Sequence, residues 1–295
     1  MATAVQAVSR RRAAFFRAAA PYFLILPGGV WLVLLFALPI VTLAITALES
    51  GDFLSGFQFT GNLGNFSFGV QTYPDQFLHA IEYGVASTLL ALLIAYPVAY
   101  WIAFHSGPRK SVYLLIVLLP FFVSFVIRTL SWQLLLNDDG PLFGPLKAIH
   151  VIPSDFHVLA TPIAVIGGLT YTFFPYMLLP IYASLEKIDR RLLEAAGDLF
   201  ANKFQVLRRV VLPLSVPGVF AGILLTGIPT TADYVNQDLL GGVNTTMIGR
   251  VIQQQFEFDA NYPLAAALAF IFMAGLVITI LLYARIFGTE ELVGG

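Results

Sequence analysis

The chain has 295 residues, of which 58% are hydrophobic and 11% charged, with a formal net charge of -1 and no cysteine. A soluble domain carries about 25% charged residues, so this composition excludes one and points to an integral membrane protein. The missing cysteine excludes a disulfide framework, thiolate metal sites and a thiol nucleophile.

Residues 1–20 are basic and Ala-rich, with Arg10, Arg11, Arg12 and Arg17, and are expected to form a cytoplasmic tail lying on anionic lipid, helical at its end. Residues 21–295 read as one transmembrane domain. Its first apolar run, Tyr22–Leu48, is longer than the roughly 7–15-residue core of a secretory signal and reads as an uncleaved span. The outer segment Glu49–Gln76 is rich in Gly, Phe and Asn and is expected to be irregular. Run two, Phe77–Phe104, is followed by a tight inner turn, His105–Lys110, and by run three, Ser111–Leu136. In the second outer segment, Asn137–His157, Leu142–Ile149 suits a short interfacial helix. Run four is Val158–Leu185, run five Leu214–Asp233, and run six Pro263–Phe287. The third outer segment, Tyr234–Tyr262, contains an amphipathic piece, Met247–Phe258. Each run meets the ~20 residues that a spanning helix needs, and none alternates as barrel strands do. The predicted fold class is therefore all-α: a polytopic membrane protein with six transmembrane helices.

Charge sets the orientation. If both termini are cytoplasmic, all of the 16 Lys and Arg residues except Arg128, Lys147 and Arg250 fall inside, while Glu49, Asp52, Asp75, Asp138, Asp139, Asp155, Asp238, Glu257 and Asp259 fall outside. The reverse topology inverts the rule.

Run five is interrupted by Pro217, Gly218, Gly222, Gly227 and Pro229. Gly218 and Gly222 are spaced to let another helix approach closely. Pro229 is expected to free backbone carbonyls, which is tolerated at that depth only against protein or a water-filled cavity. Tight packing and a gate formed by Pro229–Asp233 are both compatible with this pattern.

No GxxxxGK[ST] loop is present, so the chain does not bind ATP in that way. His79, His105, His150 and His157 are scattered at span ends, without metal-ligand spacing. There is no Ser-His-Asp or HExxH constellation. Ionisable residues within the runs are sparse, Glu82, Arg128 and Asp233 among them, where a proton-coupled transporter usually has several. An energy source outside the chain is the alternative, and the polar stretch 186–213 between runs four and five offers it a place to attach. That stretch carries Lys203, Arg208 and Arg209 and reads as two short helices with a break.

Within that stretch Glu194-Ala195-Ala196, then Val210, Leu212 and Pro213, match the spacing of the EAA motif. On these residues the chain resembles the permease subunits of type I ATP-binding-cassette (ABC) importers, with the MetI-like fold. Phe200 stands where the motif has Gly, and Asn202, which tolerates left-handed geometry, is expected to take the turn instead. Leu118–Phe122 with Ile127-Arg128-Thr129, Leu185–Asp189 with Leu192-Leu193-Glu194, and Asp238–Gly242 with Met247-Ile248-Gly249 look like the spermidine/putrescine, or PotB-type, branch.

The resemblance implies a bacterial inner-membrane subunit that is no enzyme by itself. It implies a second homologous permease, two ATPase subunits carrying ATP and Mg, and an extracytoplasmic substrate-binding protein, with the lipid membrane around them and no nucleic acid. ATPase coupling is expected of Glu194, Ala195, Ala196, Leu212, Pro213, Arg208 and Arg209. Arg208 and Arg209 are placed to meet acidic or lipid groups.

A polycation with apolar spacers calls for carboxylates and aromatic faces. The candidates for its pathway are Asp233, Tyr234, Glu82, Trp132, Tyr171, Phe174 and Tyr176. Importers of iron, thiamine, sulfate or phosphonate, an ion-coupled secondary transporter and a structural membrane subunit remain alternatives.

Overall fold

The computed structural model describes residues 2–287, with side chains over 25–285. The side chains of the basic tail, Arg10, Arg11, Arg12 and Arg17 among them, lie outside the described residues.

Helix α1 (Ala2–Ala47) leads into a hairpin of β1 (Glu49–Asp52) and β2 (Gly56–Phe59), then α2 (Gly64–Thr72) and α3 (Pro74–His105). Next come α4 (Lys110–Leu118), α5 (Phe125–Leu136), α6 (Phe143–Ala148) and α7 (Pro162–Glu186). The cytoplasm-predicted stretch holds α8 (Arg190–Asp198) and α9 (Lys203–Val206). Then follow α10 (Leu212–Ala232), α11 (Val235–Leu240), α12 (Ile248–Glu257) and α13 (Tyr262–Phe287). Helix α6 falls where the sequence predicts a short helix and α12 on the amphipathic piece, and an ion pair of 3.1 Å between Lys147 and Asp138 ties α6 to the preceding turn.

Among the described residues, five helices are long and apolar enough to cross a membrane: 25–47 within α1, α3, α7, 203–232 and 262–285. The sixth crossing departs from the expectation of a straight span. Residues 107–122 and 125–136 are two pieces bent by 87°. Pro120 sits in a 3-10 turn, and Val123 and Ser124 are both extended (ψ 146 and 135). Proline removes a helical donor, and two extended residues then redirect the chain.

The segment expected to be irregular, Glu49–Gln76, is ordered instead. Glu49 pairs with Phe59 and Asp52 with Gly56 in the hairpin. Its turn is held by Asp52 Oδ1, which accepts hydrogen bonds from the Leu54 and Ser55 amides and the Ser55 hydroxyl. The bonds from Ser55 hold the Asp52 carboxyl below the usual range. Asn65 Nδ2 donates to the carbonyls of Ala47 and Glu49, both at 3.0 Å, so the hairpin is clamped to the end of α1.

The centre of the molecule is the trio α3, α7 and α10. Ala91, Ala95, Ala99 and Ala103 recur every fourth residue along α3 and are buried against Met177, Leu178, Ile181 and Leu185 of α7. Across α7, a Cβ at Gly218 would lie 2.4 Å from Ser184 Cβ and 2.6 Å from the Pro180 carbonyl, and one at Gly222 2.8 Å from Met177 Sδ. The glycine pair of run five thus serves close helix approach. Pro217 and Pro229 do not break α10, which runs on to Ala232; the Thr230 and Thr231 hydroxyls donate to the Gly227 and Ile228 carbonyls beside Pro229. Helix α1 stands apart, packed mainly on α13 through Leu43, Ala47, Ala266 and Ala267.

Gly222→Val overpacks the α7–α10 contact and is expected to cost about 1–3 kcal/mol. A lower thermal midpoint in detergent than the wild type checks this; an unchanged midpoint would show that the spacing is not limiting.

Candidate functional site

Two regions hold most of the predicted site residues: the hairpin between α7 and α10, and the interior face of α5, α7 and α11.

The hairpin begins where Asp189 caps α8, its carboxylate accepting from the Arg191 amide at 3.0 Å. Glu194 and Ala195 are exposed and Ala196 half-buried. The helix ends with the Phe200 amide donating to the Gly197 carbonyl (2.9 Å) and the Ala201 amide to the Ala196 carbonyl (3.0 Å). This is a Schellman-type closure, whose penultimate position usually belongs to Gly. Phe200 itself occupies it with φ 61°, which corrects the expectation that Asn202 takes the turn. Asn202 instead caps α9 reciprocally with Gln205, at 2.9 and 2.8 Å. Phe200 is 97% exposed, and Leu199 and Phe204 beside it are also open. A strained, apolar tip therefore projects from the segment.

A π-helical turn, Leu207–Val211, joins α9 to α10. Arg208, Arg209, Leu212 and Pro213 are exposed on this limb, while Val211 is fully buried. Two contacts that the sequence did not reveal tie the hairpin to the helix bundle. Arg190 Nη2 donates to the Ala103 and Phe104 carbonyls at the end of α3 (3.2 and 3.4 Å), and Lys110 pairs with Glu186 at 2.6 Å.

The pathway candidates separate into groups. Trp132 and Tyr171 meet edge-on at 5.3 Å between centroids, and Phe121 lies 5.3 Å from Tyr171. With Phe174 these rings line a recess of about 500 Å³ closed by Ile94, Ile116 and Pro120. Tyr176 lines an adjoining recess of about 310 Å³ with Arg128 and Phe121. Tyr234 lies elsewhere, on a recess formed by Gly249, Gln253, Phe256 and Phe272. Glu82 is exposed on α3. Asp233 is 8% exposed, and its carboxylate accepts from the Asn236 amide in the first turn of α11 at 2.7 Å.

The sequence reading missed a buried polar seam. Asn236 Oδ1 accepts from the Thr129 and Thr172 hydroxyls (3.5 and 3.4 Å). The Thr88 and Thr230 hydroxyls lie 3.5 Å apart, and Thr170 donates to the Ser87 carbonyl (3.4 Å). Asn236 Nδ2, Gln237 Oε1 and Thr226 Oγ1 are buried without a hydrogen-bond partner among the described residues. The only hint in the sequence was the threonine content of apolar runs, which periodicity alone does not turn into a site.

The family model for the binding-protein-dependent transport system inner membrane component matches residues 89–287. This chain belongs to that family. The permease is 33% identical over 256 residues to the spermidine/putrescine transport system permease protein PotB of Escherichia coli, covering 86% of this chain and 93% of that one. It is 38% identical over 202 residues to PotB of Haemophilus influenzae, covering 68% and 70%. The fold matches a chain of a bacterial ABC transporter that imports the acidic polysaccharide alginate, with TM-score 0.70 and 21% identity over 97% of the permease and 100% of that chain. It also matches a chain of the MetNI methionine ABC transporter, with TM-score 0.53 and 18% identity over 71% and 91%. The permease is thus an inner-membrane, multi-pass transport component with the ABC importer permease fold.

Left-handed geometry at a non-glycine residue costs about 1–2 kcal/mol, so Phe200→Gly is expected to stabilise the hairpin. Slower exchange of the Ala201 amide in the variant is the readout; equal or faster exchange would show that Phe200 is not strained.

Proposed function

We propose that the permease forms part of the membrane pathway of an ATP-driven importer of spermidine or putrescine. The observation that carries this is the 33% identity to PotB across 93% of that protein's length. The aromatic recess around Trp132, Tyr171 and Phe174 supports it: ring faces attract ammonium groups, and its apolar walls suit methylene spacers. In this reading both termini are cytoplasmic, because that arrangement puts the Arg- and Lys-rich segments inside.

A second permease completes the pathway, an extracytoplasmic binding protein delivers the polyamine, and two ATPase subunits carrying ATP and Mg drive the cycle. The hairpin 186–213 is the surface they move. Glu194 offers an acceptor, Ala195 and Ala196 allow close approach, Leu212 and Pro213 begin α10, and Arg208 and Arg209 present charge to acidic or lipid groups. Pathway roles for Tyr176, Asp233, Tyr234 and Glu82 belong to the same proposal. Arg128, a cation lining the recess next to the aromatic one, favours a second reading in which the cargo is a small anion.

Proteoliposomes holding the whole complex and its binding protein test the cargo. ATP-dependent uptake of labelled spermidine, competed by putrescine and not by sulfate, is expected; competition by sulfate alone would establish the second reading. Trp132→Ala is expected to slow polyamine uptake per assembled complex by about tenfold, the loss of a desolvated cation–aromatic contact, and unchanged uptake would remove Trp132 from the pathway. Glu194→Ala, or Ala196→Trp, is expected to reduce ATPase retention or to leave hydrolysis running without uptake. Normal assembly and transport in both would overturn the coupling role.

A further inference from the structure

We infer that the Arg128 recess is a carboxylate-binding site, filled in the assembled importer by an acidic side chain of the second permease subunit. This rests on the two-permease, polyamine reading above.

Arg128 projects from α5, just past the 87° bend, onto the faces of Phe121 and Tyr171, with its guanidinium carbon 4.7 and 5.6 Å from the ring centroids. Its Nε and Nη1 are buried and have no hydrogen-bond partner among the described residues, and no ion pair involves it there. Tyr171 is the tenth residue of α7, so it lies about 14 Å along that helix from its outer end. A hydrocarbon core is about 30 Å thick, which places the guanidinium well away from either surface. Charged groups at that depth pair with one another or with backbone carbonyls, and aromatic faces only partly replace an anion.

The counter-charge therefore comes from outside the described residues. The cargo does not supply it, because a polyamine repels a guanidinium. The surroundings indicate a protein. Phe122, Val123, Val126 and Ile127, on the bend and the start of α5, are all open large apolar side chains, and Tyr176 lines the recess while half-exposed. An apolar surface around one desolvated cation is complementary to an apolar helix that carries one acid. Arginine's planar fork suits a carboxylate in two-point contact.

Two measurements on the purified complex test this. A photoreactive benzoylphenylalanine at Ile127 leaves Arg128 intact and is expected to cross-link to the second permease. Arg128→Met is expected to lower the amount of second permease retained per chain by at least about tenfold, because it leaves a buried carboxylate unpaired, while Arg128→Lys retains most of it. Equal retention in Arg128→Met, loss of transport with full retention, or retention restored only by phosphatidylglycerol would each overturn the inference. If the Met variant aggregates on gel filtration, the cross-link decides alone, and labelling of lipid only would overturn it. A wild-type complex without a second permease would overturn the proposed function, and this inference with it. A wild-type complex with one, and no cross-link, would overturn the inference alone.

Discussion

Close backbone approach among α3, α7 and α10 is the constraint on which the remaining structure depends. In lipid, apolar side chains gain little by leaving apolar surroundings, so helices associate through van der Waals packing and hydrogen bonds at short range. Alanines every fourth residue on α3 and the Gly218–Gly222 pair on α10 make that range accessible on both sides of α7. The same spacing brings the Thr88 and Thr230 hydroxyls within reach of one another and sets Thr170 against α3. The polar seam follows from the small-residue packing and would not close with larger side chains there.

The trio also fixes how the hairpin joins the membrane region. One limb leaves α7 directly, and the other re-enters α10 through a π turn with no intervening loop. Arg190 and the Lys110–Glu186 pair fasten the hairpin to the end of α3 and the start of α4. Three stiff helices and the lower half of the broken span thus share one cytoplasm-predicted joint. Helix α1, which packs mainly on α13, lies outside this joint.

The broken span shapes the opposite half. After turning 87° at Val123–Ser124, the chain lays α5 against α11 and α7. This sets Trp132 and Arg128 against Tyr171 and Thr129 against Asn236. Two neighbouring recesses result, one almost wholly aromatic and apolar and one holding a positive charge. Their difference in character arises from a single change of direction in the backbone.

Residue type and spacing alone determined the class, the order of the apolar runs, the polar hairpin with its EAA spacing, and the short helix α6, because hydropathy and local periodicity act within one segment. They also identified Gly218 and Gly222 as contact residues, since only a helix approaching closely needs that pattern. Tertiary structure decided the remainder. The bend after Pro120 is invisible to hydropathy, which reads Ser111–Leu136 as one run. Phe200, not Asn202, takes the left-handed turn, because the hydrogen bonds closing α8 select a position in the chain whatever side chain stands there. Trp132, Tyr171 and Phe174 meet while Glu82, Asp233 and Tyr234 do not, because helix rotation and tilt set which faces converge, and those are fixed by neighbouring helices that no single segment encodes.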